Sequence, residues 1–178
     1  IYSAFDLAGA RNASSSPLGL YFKENVDMNG QGKDGKYHVP AEFAQSGCES
    51  EDDNWFKRFY TVRNLDGQNN TIYNLYCHSH AVSDGSYVAA FIYTAQKGYD
   101  TVHKNLNFRN CCSVAPVVKG SREDLSYGAI FIQHAGSDSA GSPRYTMENI
   151  HIYDSKVFAL QHSGILAGLL YNANAYNC

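Results

Sequence analysis

Tyr127-Gly128-Ala129-Ile130-Phe131-Ile132-Gln133-His134-Ala135 decides the fold, because the chain writes this stretch more than once. Tyr87-Val88-Ala89-Ala90-Phe91-Ile92-Tyr93-Thr94-Ala95 matches it from about 40 residues upstream. Ile165-Leu166-Ala167-Gly168-Leu169-Leu170-Tyr171-Asn172-Ala173 matches it at a similar distance downstream. A second unit runs beside the first: Thr71-Ile72-Tyr73-Asn74-Leu75, then Thr101-Val102-His103-Lys104-Asn105-Leu106 with one inserted residue, then Thr146-Met147-Glu148-Asn149-Ile150. Self-similarity at this period marks a solenoid or propeller, in which each repeat buries its apolar face only against its neighbours.

Within the second unit, the residues after each Asn alternate. Leu75 and Cys77, Leu106 and Phe108, Ile150 and Ile152 fall on one face, while Tyr76, Asn107 and His151 fall on the other. Alternation of period two with one apolar face is a half-buried strand. A bend at the Asn brings Ile72 and Met147 inward, and Asn suits a bend because it tolerates left-handed backbone angles. Stacking Asn74, Asn105 and Asn149 in register lets their amides form a ladder. A propeller blade needs about four antiparallel strands, and each repeat shows only two clear ones. The expected fold is therefore all-β: a parallel β-helix, or β-solenoid, of about three stacked coils.

The chain reads as one domain. Residues 1–30 form an N-terminal cap of a helix and a strand, 31–58 an irregular insertion, and 59–178 the repeat coils. Ser3 is a natural N-cap for a short helix over 3–11, with Asp6 three residues on as in a capping box, and Ser14-Ser15-Ser16-Pro17 ends it. The stretch from Leu20 to Met28 reads as a strand closed by Asn29-Gly30. A long irregular insertion in a compact domain is usually functional or decorative.

Net charge is -3 with pI ≈ 6.1, so the electrostatic footprint of nucleic-acid binding is missing. Charged residues make up 17%, below the usual quarter or so. Fourteen Tyr and nine Phe favour strands. No apolar run reaches the roughly 18 residues of a membrane span. The chain opens on Ile1 rather than Met, which fits a processed, extracellular or cell-surface protein, and the sequons at Asn12 and Asn69 are candidate glycosylation sites. The five cysteines lack zinc-ligand spacing. Cys77, Cys111 and Cys112 read as structural; vicinal Cys111 and Cys112 point to opposite faces of a strand, so at most one reaches a core partner such as Cys77. A disulfide and free thiols both fit this spacing.

Two groups of residues are candidates for a site. The tyrosines Tyr76, Tyr87, Tyr93, Tyr127 and Tyr171 recur at equivalent strand positions, so they either stack between coils or present a stripe to sugars or partner proteins. The acidic run Glu49, Glu51, Asp52 and Asp53 is a candidate metal site, although Ca²⁺ needs six to eight shaped oxygens and a charge run is usually a solvated loop. His78 and His80 share a strand face without a third ligand, which fits surface histidines. No nucleophile-base pair or converging carboxylates are written in the repeats, so no catalytic residue and no cofactor is expected.

The repeats resemble those of the GLUG-motif family of bacterial surface proteins. The resemblance rests on Ser163-Gly164-Ile165-Leu166-Ala167-Gly168-Leu169-Leu170, followed by Asn174-Ala175-Tyr176-Asn177-Cys178. It rests also on Leu65-Asp66-Gly67-Gln68-Asn69-Asn70-Thr71-Ile72-Tyr73-Asn74-Leu75, and on a cap similar to the helix and the stretch Phe22–Gly30. Ala89-Ala90 departs from the motif, standing where the family has a glycine pair. The resemblance implies a non-catalytic stalk or adhesive segment. The expectation is accordingly an extracellular structural or adhesive module, with surface glycans, host proteins, further repeats or copies of itself as partners. Asn177-Cys178 aligns with Asn149-Ile150, so the chain stops as another repeat begins, which fits continuation or head-to-tail assembly into a filament. The alternative is a polysaccharide lyase or hydrolase on the same fold.

Overall fold

Ser3 caps helix α1 (Ala4–Ala13) by accepting the Asp6 N–H, and the Asp6 carboxylate accepts from the Tyr2 N–H. That backbone bond, chiefly, holds the Asp6 carboxyl below its usual pKa. Ala4 and Leu7 on the inner face join the hydrophobic core. The computed structural model describes residues 1–28, 56, 58–78, 80–81, 87–95, 100–115, 126–136, 144–159 and 161–178.

After α1 come two short strands, β1 (Gly19–Tyr21) and β2 (Val26–Asp27), where the sequence suggested one. Then follow β3 (Asn64–Tyr73), β4 (Tyr76–His78), β5 (His80–Ala81), β6 (Tyr87–Ala89) and β7 (Ile92–Thr94). Without a counterpart of β5, one long strand and three short ones follow in β8 (Thr101–Arg109), β9 (Cys112–Val114), β10 (Ser126–Ala129) and β11 (Ile132–Gly136). The same order returns in β12 (Tyr145–Tyr153), β13 (Lys156–Phe158), β14 (Gln161–Gly164) and β15 (Ala167–Tyr171), before β16 (Ala173–Tyr176). Each strand pairs in parallel with its counterpart in the next repeat. The described strands thus form stacked parallel sheets: β1-β3-β8-β12-β16 with β2 on β3, then β4-β9-β13, β5-β6-β10-β14 and β7-β11-β15. Among the described strands, only the short β5 runs antiparallel to its neighbour, β6.

Aromatic rings fill the space between the sheets. Phe59 and Phe91 lie edge to face at 5.5 Å, Phe91 meets Phe108 at 5.6 Å, and Phe108 meets Phe131 at 5.7 Å. All four are fully buried. One polar pair sits among them: His103 Nε2 is 2.8 Å from the Val62 carbonyl, and the Tyr145 hydroxyl is 2.8 Å from His103 Nδ1. A carbonyl only accepts, so Nε2 carries the proton and Nδ1 takes the tyrosine hydrogen. Every polar atom of the imidazole is satisfied in the neutral form, and burial drops its pKa to about 4.

The Asn residues do bend the chain, with φ of 56° at Asn74, 56° at Asn105 and 53° at Asn149. They do not form one ladder. Asn149 Nδ2 donates to Asn105 Oδ1 at 2.8 Å, and Asn177 Nδ2 donates to Asn149 Oδ1 at 2.8 Å. Asn105 in turn donates to the Asp66 carboxylate at 3.2 Å, so Asp66 is the first rung. Asn74 belongs to a second ladder, donating to Asp27 and accepting from Asn110, both at 2.7 Å. The displacement has a local cause. Gln68 and Asn69, both at positive φ, bulge out of β3, so Asp66 pairs with Lys104 but Asn70 with Leu106. Ile72 consequently stacks on Phe108, and the Asn74 position falls beside Asn110.

The third copy of the first unit is also displaced. Ile92 and Ile132 pair as the sequence suggests, but Ile132 pairs with Ala167 and His134 with Leu169. Leu169 therefore does not take the core position of Phe131, and it is only half-buried. β6 and β10 are offset by one residue as well, Val88 lying beside Tyr127. Glycines help fix this register. A Cβ on Gly168 would fall 2.3 Å from Gln133 Nε2, and one on Gly136, at φ +92°, would strike the Tyr171 carbonyl.

Candidate functional site

Outward-facing side chains of β7 and β11 build a seam against the neighbouring sheet. Phe59 bridges to Ile92, which sets Tyr60 beside Tyr93 with ring centroids 5.4 Å apart. The pairing of Ile92 with Ile132, and of Ile132 with Ala167, continues that column through Gln133 to Gly168. Next to it, His134 meets Tyr93 at 5.1 Å. From the other sheet come Tyr127 on β10, 6.1 Å from His134, and His162 on β14, 5.3 Å from Tyr127. The rings thus run without a break from Tyr60 to His162.

Polar atoms form the floor. Gln133 Nε2 donates to the His162 carbonyl at 3.1 Å, and Arg58 Nη1 donates to the Val88 carbonyl at 3.3 Å. These bonds cross from one sheet to the next, so the two outer faces turn toward each other. The Arg58 guanidinium lies over the Tyr93 ring, 5.4 Å from its centroid, a cation–π arrangement. Arg58 Nε and Gln133 Oε1 are buried and make no hydrogen bond. Burial lowers the guanidinium to about 10, and the described titratable groups that act on it are Tyr93, Arg11, Cys77 and Tyr60, none of them a carboxylate. Arg58 is therefore a cation at neutral pH without a counter-ion among the described residues. At the open end of the seam Tyr60 is 51% exposed.

Of the tyrosines singled out from the sequence, the seam gathers Tyr93 and Tyr127. Tyr76 is only 3% exposed, so it offers no surface stripe; the Phe56 N–H donates to its carbonyl at 3.2 Å. Tyr171 is exposed on β15 opposite Gly136, away from the ring contacts. Tyr87 contributes its backbone to β6, beside Ser126 and Ala81. The acidic run Glu49, Glu51, Asp52 and Asp53 lies outside the described residues. Among the described residues, no three His, Cys, Asp or Glu side chains gather as a metal would require, and no helix is long and apolar enough to cross a membrane. Asn12 and Asn69 are both exposed.

Cys77, Cys111, Cys112 and Cys178 are free thiols. Burial raises the first two, Cys111 to about 12, so they pack as small apolar groups rather than react. Away from the seam, an open groove of about 500 Å³ between α1 and β1 is lined by Ile1, Tyr2, Ala10, Leu20, Tyr21 and Lys23.

Tyr60 and Gln133 escape a reading of the sequence, and nothing in the sequence joins Arg58, His134 and His162 to them. A faint signal exists for Tyr60: Phe59-Tyr60 repeats the apolar-Tyr order of Ile92-Tyr93 just before the first clear repeat. No protein-family profile, curated protein or solved structure matches the chain.

Proposed function

We propose that the chain is a parallel β-solenoid serving as a non-catalytic structural or adhesive module outside the cell or at its surface, in line with its resemblance to GLUG-motif repeats. The observation that supports this reading is the pair of amide ladders. The polar residues that bend the chain are engaged with one another along the stack, each rung donating to the rung before it. Such a stack is extendable by construction. A further rung, from later repeats or from another copy, would donate to Asn177 as Asn177 donates to Asn149. The half-buried layer of Ile152, Val157, Leu166 and Ala167 packed on the core supports the same reading, because it offers apolar surface to a next layer.

Incubation with uronic-acid polymers and neutral glycans in the presence of Ca²⁺ tests it. The expected result is no new reducing ends and no unsaturated products. Turnover that disappears in Asp52→Asn or Asp53→Asn would assign the chain to a polysaccharide lyase instead.

A further inference from the structure

We infer that the seam binds an acidic saccharide, the Arg58 guanidinium holding the sugar carboxylate while Tyr60 and Tyr93 stack on the sugar ring. The inference rests on the adhesive reading above and names its ligand. A guanidinium withdrawn from water calls for an anion or a complete set of hydrogen bonds, and Arg58 has neither within the described residues. Its planar fork matches a carboxylate. Tyrosine rings present a flat apolar face with a polar rim, which suits the C–H face and hydroxyl edge of a sugar.

The chemistry also sets other ligands aside. A nucleic acid would need a basic surface, and the chain carries a net charge of -3. A wholly apolar ligand would leave the guanidinium without a partner.

Calorimetric titration of the whole chain with an oligogalacturonate, and with a neutral galacto-oligosaccharide of the same length, tests the site. The acidic oligomer is expected to bind at least about tenfold more tightly than the neutral one, with affinity falling as salt rises. Arg58→Gln removes that preference. Tyr60→Ala, at a half-exposed position that the fold tolerates, weakens binding by about threefold to tenfold. Tyr153→Ala, on β12 outside the seam, leaves it unchanged. Equal affinity for the two oligomers, binding of neither, or undiminished binding by a folded Tyr60→Ala chain overturns the inference. The same samples are assayed for cleavage. Binding with cleavage keeps the site and refutes the non-catalytic reading, whereas neither binding nor cleavage refutes the site alone.

Discussion

Asn105 is the rung on which the first amide ladder turns, and replacing it separates two contributions to stability. Its side chain makes two hydrogen bonds, donating to the Asp66 carboxylate at 3.2 Å and accepting from Asn149 at 2.8 Å. Each is worth about 0.5–1.5 kcal/mol, so their loss costs about 2 kcal/mol together. Its backbone sits at φ 56°, a region that costs an alanine about 1–2 kcal/mol. Glycine escapes that strain but surrenders about 0.5–1 kcal/mol to the entropy of the unfolded chain. Asn105→Ala should therefore destabilise by about 3–4 kcal/mol and Asn105→Gly by about 2.5–3 kcal/mol. Urea unfolding monitored by circular dichroism gives both values, with unchanged m-values showing that the same surface is exposed. Alanine equal to or better than glycine would refute the backbone term. Losses below about 0.5 kcal/mol for both would refute the ladder as a source of stability.

Phe131 is fully buried between Phe108 and His103, so Phe131→Ala should cost about 3–5 kcal/mol in the same assay, and a change near zero would mean the ring is not a core element. His103 predicts an acid-sensitive fold, because its pKa falls from the ordinary 6.5 to about 4 on burial. The unfolded chain takes up this proton before the folded one does, so stability is full above pH 6.5 and declines as pH falls toward 4. Across that window the loss approaches about 3 kcal/mol. His103→Gln should flatten the slope, and an unchanged pH profile would contradict the assignment.

The sequence by itself determined the repeat, the strands and the residues that bend between them. Phe91 and Phe131, or Asn105 and Asn149, are equivalent in the structure because period-two alternation and a left-handed Asn are written locally. The cap of α1 was legible for the same reason: Ser3 and Asp6 act within one turn. Register was another matter. Thr71-Ile72-Tyr73-Asn74-Leu75 resembles both the stretch ending in Asn105-Leu106 and the one ending in Asn110-Cys111, and apolar pattern fits either. The bulge at Gln68 and Asn69 chose the second. Likewise, Ile165–Ala173 aligns well as text, but Gln133 needs a glycine beside it, and packing across repeats moved the copy until Gly168 stood there. The seam lay further still from the sequence. Arg58 with Tyr60, Gln133 and His162 come from three separate parts of the chain, and no local spacing records that two outer faces turn toward one another. Patterns within a strand are local physics, whereas which strand lies beside which, and in what register, is settled only when side chains compete for the same space.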